Sequence, residues 1–294
     1  MRQGILLAVL VFAFLAVQAQ SPSRPLSDTT KIRFKQYVFK KFREDNQWVA
    51  GLYWQDSLLF RIQAPKASHL QYVAIDGLAF QDINQDNVPN FILQQYAPSE
   101  TDYTCYWHIF ALDRTQFRKE AEIQARQHIP WLADFDRDGI FEIVVKDYTF
   151  LHWNADFLQS PYELVPLRFQ QGRYTPDLGL PRDSLPASLA SQADSIRTAL
   201  EQFYQESKKA YPYTVEVLGG SPEQRWGFVP SRLWAILLRL FYLGRGPEAP
   251  AFVEACWPAA LEGREAFWDD FMARLRQSPF WDSLAALNQS LAED

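Results

Sequence analysis

The chain has 294 residues, of which 48% are hydrophobic and 22% are charged, and its net charge at pH 7 is −6. This length predicts about two domains, and a composition near the globular average excludes a fully disordered or collagen-like chain. The acidic balance argues against nucleic acid as the main partner, because nucleic-acid-binding proteins present basic surfaces. Two cysteines are too few for a disulfide scaffold or a cysteine-based zinc cluster.

The N-terminal segment has the pattern of a secretory signal peptide. Residues 1–4 carry one positive charge, residues 5–17 are apolar, and Val17 and Ala19 precede the expected cleavage point. The apolar run is shorter than the ~20 residues that a membrane-spanning helix needs, so an uncleaved anchor is the less favoured alternative. We therefore expect residues 1–19 to be removed. The mature protein should be extracytoplasmic, either periplasmic or secreted, without a stable membrane span.

Residues 31–180 predict a β-rich region, because short runs of β-branched and aromatic residues alternate with Asp, Asn, Gly, Pro and Gln. Many short strands at such spacing are typical of a sandwich, a barrel or a propeller. We place a mainly β domain of short antiparallel strands, propeller-like or a sandwich, at residues 25–178. The predicted strands are 31–39, 48–54, 57–62, 69–75, 91–96, 103–112, 117–123, 142–148 and 164–169.

The hydrophobic period changes to a helical one after a segment, 176–186, that carries three prolines and resembles a linker. An all-α domain is therefore expected at 184–294, with a strand-like stretch at 211–218 that we cannot place. Residues 228–243 are apolar nearly all round, but interspersed arginines make a buried helix more plausible than a membrane span. Further helices are expected at 185–203 and at 251–261, the second either continuous or broken at Pro258. Two more are expected along the stripe Phe267, Phe271 and Leu275, and from the cap Ser278 and Pro279 to Leu291.

The two cysteines leave two alternatives open. An oxidising compartment would permit a disulfide between Cys105 and Cys256, which would join the two halves of the chain. Free cysteine also behaves as a small hydrophobic residue, so two buried thiols are an equally good interpretation.

The segment 134–142, called loop 2 below, spaces its acidic side chains as a calcium-binding loop does. Oxygen-bearing side chains hold positions 1, 3, 5 and 9, and Gly139 at position 6 permits a sharp turn. Calcium takes 6–8 oxygen ligands at about 2.3–2.6 Å, and this spacing brings alternate side chains to one centre. The expected ligands are the side chains of Asp134, Asp136, Asp138 and Glu142 and the main-chain carbonyl of Ile140.

The segment 82–90, called loop 1 below, repeats the same spacing with fewer charges. Asn87 takes the glycine position, which asparagine tolerates because it visits the left-handed region. Loop 1 offers two carboxylates against four in loop 2, so we expect weaker calcium binding there or none. The expected ligands are the side chains of Asp82, Asn84, Asp86 and Asn90 and the carbonyl of Val88.

These loops have two other interpretations, an EF-hand and a metal-free turn. An EF-hand needs a bidentate Glu at position 12 and flanking helices, whereas position 12 of loop 2 is Val145 and the flanks are predicted strands. This alternative is rejected. A pair of polar β-turns without any metal remains open, since Asp, Asn and Gly are ordinary turn residues.

Both loops resemble the calcium loops of FG-GAP/VCBS repeats, which occur in integrin α-subunit propellers and in many secreted bacterial proteins. The family loop has the pattern Asp-x-Asp/Asn-x-Asp-Gly-x-x-Asp followed by a hydrophobic strand. Residues 134–139 match it, and Glu142 replaces the usual final Asp. The resemblance covers about residues 70–170 and implies a propeller-like fold in which structural Ca²⁺ holds a hairpin. Two visible repeats are too few for a closed propeller unless the other strands supply further blades.

No motif for a catalytic centre or for a cofactor other than calcium is present. We expect a calcium-stabilised, non-catalytic binding or interaction protein whose partner is an envelope or extracellular protein or glycan. The alternatives are an envelope hydrolase acting on glycans and, by family analogy, an inhibitor of a cell-wall lytic enzyme. An enzyme should show a cleft with two or more titratable groups outside the loops, and a binding module an exposed aromatic patch. The apolar contexts of the Trp and Tyr residues favour core packing over such a patch.

Overall fold

The computed structural model describes residues 30–66, 68–74, 80–98, 103–112, 117–153, 157–158, 160–180, 185, 188–207 and 231–289. The expected signal peptide and the unplaced segment 211–218 lie outside these residues. Within the described part of the chain, no helix is long and apolar enough to cross a membrane. Antiparallel strands come first and helices follow, so the predicted order of a β-rich region and a helical region is confirmed.

The first sheet contains four antiparallel strands in chain order. They are β1 (Thr30–Phe34), β2 (Tyr37–Glu44), β3 (Gln47–Trp54) and β4 (Ser57–Gln63). Two-residue turns with positive φ join them, as at Asp45 and Asn46 (48° and 62°), and such turns match the twist of a hairpin. The prediction of a single strand at 31–39 is wrong. This segment is a hairpin that turns at Lys35 (φ 52°), and no Gly, Asn or Pro marks the turn in the sequence.

The second sheet has the order β5-β7-β8-β9, and a short strand β6 also pairs with β7. Strands β5 and β6 pair with different parts of the same edge of β7, so they are two pieces of one first strand. The strands are β5 (His69–Tyr72), β6 (Phe80–Gln81), β7 (Asn90–Pro98), β8 (Tyr103–Leu112) and β9 (Phe117–Arg126).

The third sheet repeats this four-stranded antiparallel plan with the order β10-β11-β12-β13. The two inner strands agree with the predicted ones, while the two outer strands were not predicted. They have only three and four residues, which is too short to show an alternating pattern. The strands are β10 (Trp131–Ala133), β11 (Glu142–Asp147), β12 (Glu163–Gln170) and β13 (Arg173–Pro176).

Five α-helices are present in the described C-terminal region: α1 (Leu189–Ser207), α2 (Ser231–Tyr242), α3 (Ala249–Cys256), α4 (Arg264–Leu275) and α5 (Trp281–Leu287). A 3₁₀ turn, Gly246–Glu248, leads into α3. Helix α2 is the predicted central helix, and eight of its residues are buried.

Two predicted helix boundaries are wrong. Helix α3 ends at Cys256 rather than near residue 261, because Trp257 is extended (ψ 124°), as expected of a residue that precedes a proline. Helix α5 begins at Trp281 rather than at Pro279, and its N-cap is Phe280. Ser278 does not cap the helix. Its hydroxyl accepts the N–H of Phe280 and donates to Asp147.

Two hydrophobic cores hold these elements together. The smaller core lies between the first and second sheets and centres on aromatic residues such as Phe39, Phe91 and Phe110. The larger core combines residues of the second sheet, the third sheet and the helices, for example Trp107, Val145 and Phe271. The second sheet, the third sheet and the helices therefore share one core, and hydrophobic burial, at about 25 cal/mol per Å², links their stability.

A buried carboxylate also joins the helices to the third sheet. Asp147, at the end of β11, accepts hydrogen bonds from the hydroxyls of Tyr242 (2.6 Å) and Ser278 (2.7 Å). Close by, Nε of Arg239 in α2 lies 2.7 Å from Oε1 of Glu163 in β12. Buried polar groups need such partners, so these contacts fix how the helices sit on the sheet.

Both cysteines are free and buried, Cys105 in β8 and Cys256 at the end of α3. This agrees with the free-thiol alternative and not with the disulfide. Burial raises the pKa of each thiol to about 12.

Candidate functional site

The two loops occupy the same place in neighbouring sheets, since loop 1 joins β6 to β7 and loop 2 joins β10 to β11. In loop 2, Oδ1 of Asp134 accepts the N–H of Asp138 at 3.1 Å and Oδ2 accepts that of Gly139 at 3.0 Å. In loop 1, Asp82 makes the same two bonds to positions 5 and 6, at 3.2 Å and 2.8 Å. The sequence repeat is therefore also a repeat of local structure.

The remaining main-chain bonds of the loops are equivalent too. The side chain at position 5 accepts the N–H of position 7 at 2.8 Å in each loop. The side chain at position 9 accepts the N–H of position 2, at 3.0 Å for Asn90 and 3.2 Å for Glu142. Position 6 has positive φ in both, 66° at Asn87 and 88° at Gly139, as the sequence predicted.

The loops contact each other directly. The main-chain N–H of Phe141 donates to the carbonyl of Ile83 at 2.8 Å, and Nε2 of Gln85 donates to the carbonyl of Asp138 at 2.8 Å. A Cβ on Gly139 would lie 2.1 Å from that Gln85 nitrogen. The backbone angle thus favours glycine at position 6 of loop 2, and a larger residue there would have to displace the end of the Gln85 side chain.

Loop 2 has a donor set that fits a hard cation. Carboxylate oxygens of Asp134, Asp136 and Asp138 all lie within 4.8 Å of one another. The side chain of Glu142 is completely buried beside them, and burial raises its pKa, although the N–H of Phe135 and the charge of Arg168 oppose the shift. Several oxygens in one small space are what Ca²⁺ requires. The expected roles of the Ile140 and Val88 carbonyls stay predictions.

Arg168 in β12 was not foreseen, and its guanidinium lies among these carboxylates. Nη1 is 2.9 Å from Oδ2 of Asp136 and 3.2 Å from Oε1 of Glu142, while Nη2 contacts Oδ2 of Asp138. These contacts raise the pKa of Arg168, and the hydrogen bond with Asp138 contributes most. The N–H of Ile140, followed by Arg168, lowers the pKa of Asp138. The protein therefore supplies one positive charge to a loop with four negative ones.

Loop 1 is neutralised differently. In the orientation that satisfies its hydrogen bonds, the amide nitrogen of Asn84 donates to Oδ1 of Asp82 at 3.0 Å and of Asp86 at 3.1 Å. Asn84 then serves as a donor to the two carboxylates, and its predicted role as a metal ligand stays a prediction. The cluster of three carboxylates found in loop 2 has no equivalent among the described residues of loop 1.

A third carboxylate reaches loop 1 from β9. The register of β9 shifts so that Glu120 is skipped in the pairing with β8, and such a bulge re-aims a side chain. Its side chain is fully buried, 2.8 Å from Nδ2 of Asn90 and 2.8 Å from Nη2 of Arg118. Burial is the main cause that raises the pKa of Glu120.

A second feature, an open aromatic cleft of about 510 Å³, lies at the other end of the third sheet. Strand β11 runs from Glu142 in loop 2 towards Tyr148 in the cleft, roughly 20 Å away at 3.3 Å per residue. Among the exposed apolar side chains are Phe157, Tyr162 and Leu158, of which Leu158 is 90% exposed. The cleft is lined by Tyr103, Gln127, His128, Ile129, Trp131, Lys146, Tyr148, Phe157, Leu158, Ser160 and Tyr162.

Lys146 and His128 define the polar part of the cleft. The ammonium of Lys146 lies 4.0 Å from the ring centroid of Tyr162 and 5.6 Å from that of Tyr148, which are cation–π distances. Nδ1 of His128 lies 2.8 Å from the carbonyl of Arg126, and its Nε2 accepts the main-chain N–H of Lys146 at 2.8 Å. Burial lowers the pKa of His128 to about 4, so its ring is neutral at pH 7.

Comparison of the chain with protein families, with curated proteins and with solved structures returned no match. The likeness to FG-GAP/VCBS repeats therefore rests on the residues and geometry of loops 1 and 2.

Proposed function

We propose that the protein is an extracytoplasmic, calcium-stabilised binding protein without catalytic activity. The aromatic cleft is the observation that carries the binding role. Exposed apolar side chains grouped around a concavity are typical of interaction sites. The cleft has titratable groups outside the loops, among them Lys146 and His128, but a hydrolase that acts on glycans typically uses a pair of carboxylates. In the described lining of the cleft no side chain is acidic, and both nitrogens of His128 are engaged by the main chain.

Loop 2 supports the calcium part of the proposal because it carries more negative charge than its turn requires. At position 9 of loop 1, the amide oxygen of Asn90 accepts the N–H of position 2, and the carboxylate of Glu142 accepts the equivalent N–H in loop 2. A neutral amide is therefore sufficient for this hydrogen bond. At position 3 loop 1 has the amide donor Asn84, whereas loop 2 has the carboxylate of Asp136. Calcium would be held by Asp134, Asp136, Asp138 and Glu142, with Arg168 as its competitor.

With calcium bound, loop 2 would stabilise the β10–β11 hairpin and, through the hydrogen bond from Gln85 to Asp138, also loop 1. Three consecutive antiparallel sheets of four, five and four strands, two of them with equivalent loops, also support a propeller-like arrangement with the sheets as blades. The extracytoplasmic location is supported by the signal-peptide pattern of residues 1–19.

The test is the melting temperature of residues 20–294 in EDTA, in Mg²⁺ and in Ca²⁺. An ion that binds only the folded state at 100 times its Kd adds ~2.7 kcal/mol, which raises the melting temperature by roughly 5 °C. Asp136→Ala should abolish most of this rise, and Asp82→Ala should abolish less of it. Asp136→Asn is the sharper variant, because it gives loop 2 the residue that loop 1 has at the same position.

A rise specific to Ca²⁺ that Asp136→Asn removes would support the proposal. An equal melting temperature in EDTA and Ca²⁺ would show that both loops are metal-free turns. Equal losses in Asp136→Ala and Asp82→Ala would contradict the ranking of the loops.

A further inference from the structure

Among the described residues, the ammonium of Lys146 has no acidic partner in the cleft. No described carboxylate forms an ion pair with it, and its one hydrogen bond within the described structure, 3.4 Å long, goes to the hydroxyl of Tyr148. The rings of Tyr148 and Tyr162 restrict the motion of the ammonium. A pre-positioned cation loses little conformational entropy when an anion binds. The cleft is therefore complementary to a ligand with one negative charge.

Two polar groups in the wall of the cleft are engaged by the protein itself. Both ring nitrogens of His128 are used by the main chain, and Oγ of Ser160 accepts the N–H of His152 at 2.9 Å. Other polar side chains, among them Gln127 and Trp131, also line the cleft. The experiment below therefore includes a glycan probe.

The rim is aliphatic as well as aromatic. Ile129 is 46% exposed, Phe157 44% and Leu158 90%, and the Phe157 ring is stacked near Tyr148 with centroids 6.4 Å apart. Covering these side chains gains about 25 cal/mol per Å², so the ligand should present a large apolar side chain.

We infer that the cleft binds a peptide segment of a partner protein in which an aromatic or large aliphatic side chain adjoins a carboxylate. The apolar side chain packs on Phe157, Leu158 and Ile129, and the carboxylate pairs with Lys146. This inference rests on the proposed binding function and names the chemical class of its ligand.

The experiment selects a phage-displayed library of random 12-residue peptides on residues 20–294 in buffer with Ca²⁺. The same library is selected on Lys146→Gln and Lys146→Glu. Lys40→Gln is the matched control, because Lys40 also lies over a tyrosine ring, 4.2 Å from the centroid of Tyr53, but belongs to the first sheet. All variants are first shown to melt as the wild type does.

Wild type and Lys40→Gln should enrich peptides in which Phe, Tyr, Trp or Leu adjoins Asp or Glu. A synthetic peptide of the enriched sequence should bind Lys146→Gln at least tenfold more weakly. Lys146→Glu should instead enrich peptides in which the apolar residue adjoins Lys or Arg, a change that a damaged fold would not produce.

Enriched peptides without acidic residues, or equal binding by Lys146→Gln, would overturn the inference. Retention of immobilised polygalacturonate without any enriched peptide would overturn it as well, but would leave the binding function standing. Failure of both probes to bind would remove the proposed function itself.

Discussion

Loop 1 and loop 2 accept equivalent main-chain hydrogen bonds at positions 1, 5 and 9, yet they surround those bonds with different charges. Loop 2 gathers four carboxylates, of which those of Asp136, Asp138 and Glu142 contact the guanidinium of Arg168. Loop 1 places the amide of Asn84 between its two aspartates and takes Glu120 from a bulge in β9. The turn itself therefore needs Asp only at positions 1 and 5, and the side chains at positions 3 and 9 decide what neutralises the loop.

The largest difference should appear when each loop loses its arginine. Arg168→Ala leaves Glu142 buried without its cation, so in EDTA we expect a loss of ~3 kcal/mol in the free energy of unfolding, measured by urea denaturation. Arg118 is 64% exposed, and Glu120 keeps its bond to Asn90, so Arg118→Ala should cost ~1 kcal/mol or less. If calcium binds loop 2 as proposed, Arg168 would compete with it, and Ca²⁺ should then restore more stability to Arg168→Ala than it adds to wild type. Equal costs for the two substitutions would mean that the loops are neutralised alike.

A smaller difference should appear at position 6. Gly139→Ala adds a Cβ at positive φ and against Gln85, so we expect a loss of ~2 kcal/mol by urea denaturation. Asn87→Gly should change stability by less than ~1 kcal/mol, because the site already has a left-handed backbone. In the double variant Gln85→Ala/Gly139→Ala the steric part should vanish, leaving only the backbone cost and the lost Gln85 bond. If the losses in the free energy of unfolding from Gln85→Ala and Gly139→Ala simply add, the added Cβ does not clash with Gln85.

The smallest expected effect concerns pH. The folded-state pKa of Glu120 is raised above 4.5, so the folded protein binds more protons than the unfolded chain in the window that begins at 4.5 and extends upward. Glu120 therefore lowers stability at neutral pH, and this cost disappears as the pH falls towards 4.5. Glu120→Gln should gain less stability than wild type between pH 7 and pH 5, by less than ~1 kcal/mol in urea denaturation. A steeper gain in Glu120→Gln would contradict the raised pKa.

Most of the long strands and the central helix α2 could be predicted from composition and period. The errors fall where local patterns carry no signal, as in the two- to four-residue strands β6, β10 and β13 and the Lys35 turn. The loop ligands were predicted from spacing because they lie within nine residues of each other. Arg168 and Glu120 were missed because they are 26 and 30 residues from the loop residues they contact, and only strand register brings them there.

The aromatic cleft also could not be predicted from the sequence. Tyr148, Phe157 and Tyr162 have the same kind of neighbours in the chain as the aromatic residues of the cores. Phe157 and Tyr162 are exposed because they lie in the connection between β11 and β12, at the end of the third sheet.

The two buried thiols give each half of the molecule its own reporter. Alkylating reagents attack the thiolate, and thiols with a pKa of about 12 in a closed interior form almost none at pH 8. Cys105 lies in the second sheet and Cys256 in the helical region, so each becomes reactive only when its own surroundings open. Both cysteines lie in the larger core, so a comparison of their alkylation rates records, without any added label, whether the second sheet and the helices open together or separately under native conditions.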